Sequence, residues 1–294
     1  MRRIFYYFSF IVLFVVIGCH SSRKNQISSV AQKQVTIPKE FLGKLSLFIL
    51  VGQSNMSGRG ELPETPQSIN PRVFVFGNDY KWHYAVEPID SPVNQVDSVS
   101  IDTDAGYSLA TGFANTLLKK NPELVIGFIP CAKGGSSIQK WQRNLSDQSL
   151  YGSCLKRARA ASTVGQIAGV LVCQGPADAR DPAKYPKKLS SPFEWKKKFT
   201  RFVNDIRMDL GIPNLPVVFS QMGRTSNPAG WPYWELVKKQ QAEVSIPNTI
   251  MTTSMGLPLS AEVHLTSKGY DILGKRFAEA FWRLTRGEKN ERRK

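Results

Sequence analysis

The chain has little of what metal-centred and thiol redox chemistry draws on. Only three histidines and four cysteines occur among 294 residues, and no two cysteines have C-x-x-C spacing. The apolar run from Ile4 to Ile17 is too short for a comfortable membrane span, and no low-complexity tract is present. Acidic residues are scarce too, 23 against 39 Lys and Arg, for a formal charge of +16. That excess is dispersed, without a helix-turn-helix, zinc-finger or RNP-like run. It therefore argues against a nucleic-acid partner and for a surface lying near anionic lipid or polysaccharide. What is present, 41% hydrophobic residues, suffices for the core of one catalytic domain.

The first residues read as a charged start (Arg2, Arg3), an apolar core and a cleavage region, the order of a secretory leader. Val16-Ile17-Gly18-Cys19 resembles a bacterial lipobox, which implies a signal peptide over 1–19 and lipidation of Cys19. A plain signal peptide or signal anchor is the alternative. Residues 20–44, rich in Ser, Gln and Lys toward their start, are expected to form a flexible tether, and 287–294 a basic tail. The expected location is the bacterial cell envelope, with the membrane as a partner through the lipid. With Cys19 acylated, Cys131, Cys154 and Cys173 remain, so at least one thiol stays free. Their apolar settings mark them as small core residues.

Short apolar runs and helical periods then alternate. Strands are expected at 45–51, 72–76, 124–129, 167–173, 217–221 and 249–253, and helices at 107–120, 150–161, 193–210, 233–244 and 267–284. Residues 57–105, rich in Pro, Gly, Asn and Asp, read as long loops. This alternation implies a three-layer α/β/α domain over 45–286 with a mainly parallel sheet, whose ligands gather at the carboxyl ends of strands.

Four motifs fall at such ends. The first is Gly52-Gln53-Ser54-Asn55-Met56-Ser57-Gly58-Arg59-Gly60, placed after the first buried strand. The second is Ala132-Lys133-Gly134-Gly135-Ser136. The third is Gln174-Gly175-Pro176-Ala177-Asp178. The fourth is Ala261-Glu262-Val263-His264-Leu265-Thr266. In kind, order and spacing they resemble the blocks of SGNH hydrolases, in the carbohydrate esterase and sialate O-acetylesterase branch that includes acetyl xylan esterases.

The resemblance implies a serine esterase removing O-acetyl groups from carbohydrate such as acetylated xylan or sialic acid, without metal or cofactor. Ser54 would be the nucleophile and His264 its base. Gln53, Asn55, Gly135 (rather than Gly134) and Gln174 would serve the oxyanion or substrate. Two departures stand out. Pro176 replaces the family's glutamate, and Ala261 replaces the aspartate three residues before the histidine. Glu262 is then the candidate acid, since in an extended segment it would project on the same side as His264. A catalytically impaired surface lipoprotein that binds carbohydrate is the alternative. Trp82, Tyr84, Trp231 and Trp234 are candidates for stacking on sugar rings. Oligomeric state is not encoded in such spacing.

Cys19→Ser is expected to move the protein from the membrane fraction to a soluble or unprocessed form, because a single acylated cysteine is the anchor identified. Co-sedimentation of the variant with membranes after a high-salt wash would point to a different anchor.

Overall fold

The computed structural model describes residues 32–184 and 191–286. Cys19, the leader, residues 20–31 and the basic tail lie outside the described residues. Seven strands form one sheet: β1 (Leu45–Gly52), β2 (Val73–Phe76), β3 (Trp82–Tyr84), β4 (Val125–Pro130), β5 (Gly165–Cys173), β6 (Val217–Gln221) and β7 (Thr249–Thr253). Their spatial order is β3-β2-β4-β1-β5-β6-β7. All neighbours are parallel except β3, which runs antiparallel to β2 at one edge. The helices are α1 (Ser54–Ser57), α2 (Ala110–Lys120), α3 (Leu150–Ala161), α4 (Trp195–Leu210), α5 (Trp234–Ala242) and α6 (Ser267–Arg286).

The expected three layers are present, and the side-chain alternation of the strands explains why. On β1, Leu45, Leu47, Ile49 and Val51 join a cluster with Tyr151 and Leu155 of α3, Phe199 and Phe202 of α4, and Val237 of α5. Phe48 and Leu50 join the opposite cluster with Phe113 and Leu117 of α2 and Leu273 and Phe277 of α6. A central parallel strand covered by helices on both faces is apolar on both, as the continuous hydrophobic run from Leu47 to Val51 foretold. The one strand without a sequence signal is β3, whose three residues are too few to show a period.

The tether ends earlier than expected. The side chain of Gln32 donates to the carbonyls of Val86 and Pro88 at 2.9 and 2.8 Å, Val35 N–H bonds to the Trp82 carbonyl, and Ile37 is buried. Residues 32–44 therefore belong to the domain, closing over its β3 edge. Cys131 and Cys154 are not separate core residues but a disulfide, with Cα atoms 5.4 Å apart, tying the end of β4 to α3. Among the described residues Cys173 is the free cysteine, and it is buried.

Residues 57–105 hold little regular structure, yet they are anchored by buried polar groups. Arg157 of α3, 1% exposed, donates to Asn78, Asp97 and the Pro130 carbonyl. Glu87, fully buried, accepts from Ser108 and Thr111 at 2.9 Å each and from Ile89 N–H at 3.0 Å. Its burial pushes the carboxyl upward in pKa, and these donors oppose the shift without cancelling it.

The helices α2 and α6 cross through glycine. A Cβ on Gly274 would stand 2.2 Å from the Leu109 carbonyl oxygen and 2.6 Å from Phe113 N, both backbone atoms. Gly274→Ala is expected to gain about 1 kcal/mol of helix propensity and to lose more to the clash, for a net destabilisation of about 1–2 kcal/mol. Urea unfolding at constant m-value checks this; a variant as stable as the parent would show that the helices can separate at little cost.

Candidate active site

β1 stops against β5. At Gly52, with φ 136°, a Cβ would lie 2.1 Å from the Cys173 carbonyl oxygen, so only glycine allows the strands this approach. The chain then turns into α1, a single turn, placing Ser54 at its first position and just beyond the sheet. The Ser54 N–H carries no hydrogen bond among the described residues.

His264 arrives on a tight loop after β7. Leu259 and Leu265 bridge across it, and the N–H groups of Ser260 and Ala261 both meet the His264 carbonyl, at 2.9 and 3.4 Å. Asn55 links this loop to the serine turn, donating to the Val263 carbonyl at 2.9 Å and accepting from Tyr270 OH at 2.8 Å. The result is a contact of 2.9 Å between Ser54 Oγ and His264 Nε2. Burial lowers the His264 pKa, as does the Arg59 charge, while Asp102 and Glu262 oppose the shift. The imidazole is therefore neutral at pH 7, the form able to accept a proton.

The second turn follows β4 and docks on the first through Lys133 N–H and Ser136 Oγ, which donate to the Gly52 carbonyl at 3.0 and 3.2 Å. Gly134 N–H is taken by Asp102 Oδ2 at 2.8 Å. Gly135 N–H has no partner among the described residues, and the space where its Cβ would stand is open. Gly135, at φ 70°, is thus the glycine of this turn with an available amide. Gln53 Oε1 accepts from Ala177 N–H at 3.0 Å, which fixes the carboxamide and leaves its NH2 group beside the cleft without a partner among the described residues.

Three expected site residues are placed otherwise. Gln174 spends its amide on the protein, donating from Nε2 to the Ser136 carbonyl at 3.2 Å and to Asp178, and accepting from Trp195. It is a strut behind the second turn, with no free donor for an oxyanion. Asn55 ties the serine and histidine loops together and does not line the main cleft. Glu262 Oε1 accepts from Asn227 Nδ2 at 2.7 Å, and among the described residues no carboxylate is hydrogen-bonded to the His264 ring. The expected pairing assumed an extended segment, whereas the 260–264 chain folds back on the His264 carbonyl. Asp178, fully buried, accepts from Ile138 N–H at 3.0 and 3.1 Å and supports the second turn.

The cleft holds about 1010 Å³, at the upper end of the range for small-ligand sites. Of the four candidate aromatics only Trp231 lines it, with Arg180 stacked 4.6 Å over its ring. Trp82 packs on Phe76, Tyr84 on Phe74, and Trp234 donates to the Gly223 carbonyl at 3.0 Å. Sequence reasoning missed Asp102, which lines the cleft and pairs with Arg59 at 2.8 Å. Nothing local distinguishes it from the other acids of a loop. No cluster of His, Cys, Asp and Glu suited to a metal occurs among the described residues.

A family model described as carbohydrate esterase, sialic acid-specific acetylesterase, matches residues 44–283. The chain belongs to that family. A probable carbohydrate esterase of Arabidopsis thaliana is 28% identical over 257 residues, 80% of this chain and 89% of the plant protein. The crystal structure of that Arabidopsis protein superposes with TM-score 0.68 at 26% identity, covering 81% of this chain and 97% of the other. A carbohydrate acetylesterase of Xanthomonas citri shares the fold with TM-score 0.63 and 17% identity, over 82% of this chain and 57% of that one. NanS does so with TM-score 0.61 and 17% identity, over 84% of this chain and 99% of NanS. This carbohydrate esterase thus has the SGNH fold its motifs implied.

Because Glu262 is exposed and engaged with Asn227, Glu262→Gln is expected to leave esterase turnover within about twofold, the scale of an exposed hydrogen bond. Ala261→Asp, which restores an acid on the histidine loop, is expected to raise it. Steady-state assays of the two variants decide: a severe loss in Glu262→Gln would return that residue to the catalytic group.

Proposed function

We propose that this esterase removes O-acetyl groups from carbohydrate, of the acetylated sialic acid or acetylated xylan type, through Ser54 and His264. Ser54 Oγ attacks the acetyl carbonyl carbon while His264 Nε2 takes its proton. The N–H groups of Ser54 and Gly135, with the Gln53 amide, receive the oxyanion. Collapse expels the sugar hydroxyl, to which His264 returns the proton. Water then repeats the sequence on the acetyl-serine and releases acetate.

The observation that carries this reading is the 2.9 Å contact between Ser54 and His264, set beside two unengaged amides. A dyad without an orienting carboxylate is a slow catalyst. In a serine protease, replacing that acid by its amide lowers turnover about ten-thousandfold. Low basal turnover belongs to the proposal, as does a lipid anchor at Cys19 in the bacterial envelope. The Cys131–Cys154 bridge supports the latter, since such bonds persist in oxidising compartments.

Acetate release from a panel of acetylated sialic acids and acetylated xylooligosaccharides tests the reading. Ser54→Ala and His264→Ala are each expected to fall to one common floor, because residues acting as a unit lose their effects together. Release by the parent protein no faster than by Ser54→Ala, on every glycan of the panel, would overturn it.

A further inference from the structure

Asp102 takes no part in the steps above, yet its carboxylate, 4% exposed, gathers donors from both turns of the site. From the serine turn come Arg59 Nη2, at 2.8 and 2.9 Å to its two oxygens, and Ser57 Oγ at 2.8 Å. From the second turn comes Gly134 N–H, at 2.8 Å. Arg59 closes the group by donating from Nη1 to Ser57 Oγ at 2.8 Å and to the Gly58 carbonyl at 2.6 Å. Lys133 Nζ reaches the neighbouring Ile101 carbonyl, a second clip between the same segments. The packing over Gly134 is close: a Cβ there would stand 2.5 Å from Arg59 Nη2 and 2.9 Å from Asp102 Oδ2.

We propose that Asp102 is a positioning residue that locks the Ser54 turn to the Gly134–Gly135 turn and so sets the spacing of the two amides that receive the oxyanion. Taking up Gly134 N–H leaves the next amide, that of Gly135, for the cleft. The spacing matters because oxyanion donors act within a few tenths of an ångström of their best distance. The same carboxylate faces Arg59 beside His264, and the charges bearing on that imidazole are Arg59, Asp102 and Glu262. Burial works against the Asp102 carboxylate, but the Arg59 charge and the bonds from Arg59, Ser57 and Gly134 outweigh it and keep it ionised. The pair thus holds geometry and balances charge in one place.

The inference rests on the Ser54–His264 reading, so Ser54→Ala is measured first in the full-length protein. If that variant keeps the parent rate, the functional reading itself has failed. With Ser54 confirmed, Asp102→Asn is expected to lower kcat about a hundredfold with KM within a few-fold, the scale of a small misplacement of catalytic groups. Its acidic pH limb is expected to move to lower pH, because only Glu262 then opposes the Arg59 charge at His264. Arg59→Met is expected to move that limb the other way. General loosening of the fold does not produce opposite shifts. Ser57→Ala, which removes one donor and spares the ion pair, is expected to lower kcat about tenfold. An Asp102→Asn variant within twofold of the parent kcat, or limbs that fail to move in opposite directions, would overturn the proposal. If neither charge variant folds, an unchanged kcat in Ser57→Ala overturns it and a tenfold loss sustains it.

Discussion

The site depends on one close approach, the end of β1 against the backbone of β5. With Gly52 pressed on the Cys173 carbonyl, β1 can stop between β4 and β5 and release Ser54 just beyond the sheet. The chain leaves β1 toward one edge of the sheet and later returns to its other side, so the turns after β4 and β5 diverge around the serine. Such a switch point opens a crevice at the carboxyl ends of parallel strands. The Gly52 carbonyl then serves as a fixed point, accepting from Lys133 N–H and Ser136 Oγ of the facing turn. A side chain at this position would spread the strands and displace both turns together.

Around that point the protein spends buried polar groups on geometry. Gln174, Asp178 and Trp195 form a hydrogen-bonded strut behind the second turn, while Asn55 and Tyr270 hold the histidine loop. Each of these groups is satisfied by protein partners, as burial requires, and each rigidifies the place where charge would develop. The Arg59–Asp102 pair is of the same kind but stands at the cleft wall, where it also contributes a field. The imidazole, its pKa lowered by burial and with no carboxylate bonded to its ring among the described residues, is held neutral with a free lone pair. It gains little help in carrying the positive charge of its protonated form. That balance suits a slow catalyst better than a fast one.

The largely irregular stretch between α1 and α2 supplies Arg59, Val99, Asp102, Thr103 and Asp104 to the cleft wall. It stays in place because Arg157 of α3 donates to the side chains of Asn78 and Asp97, and because its own buried Glu87 accepts from Ser108 and Thr111 around the start of α2. The disulfide from Cys131 to Cys154 lies one helical turn from Arg157 on α3 and reinforces the same anchorage.

The sequence by itself determined the layer order and most strand and helix positions, and it singled out the serine and histidine that the fold brings together. Those signals are local: an apolar run ending in Gly52, helical periods, and a chain with so few histidines that the base had few candidates. Gly135 was legible for a related reason, since an open amide at a turn requires a residue without a side chain. Only the tertiary structure decided which polar side chains face the cleft and which brace it. Gln174 and Asn55 carry the right chemistry for an oxyanion, but their orientation follows from Asp178, Trp195, Tyr270 and Val263, all distant in the chain except Asp178. Glu262 was misplaced because two-residue spacing brings side chains together only in extended backbone, and hydrogen bonds to the His264 carbonyl fold that segment back. Asp102 was invisible for the opposite reason. Its partners, Ser57, Arg59 and Gly134, lie more than forty residues before it and about thirty after it, and only chain packing brings them to one carboxylate.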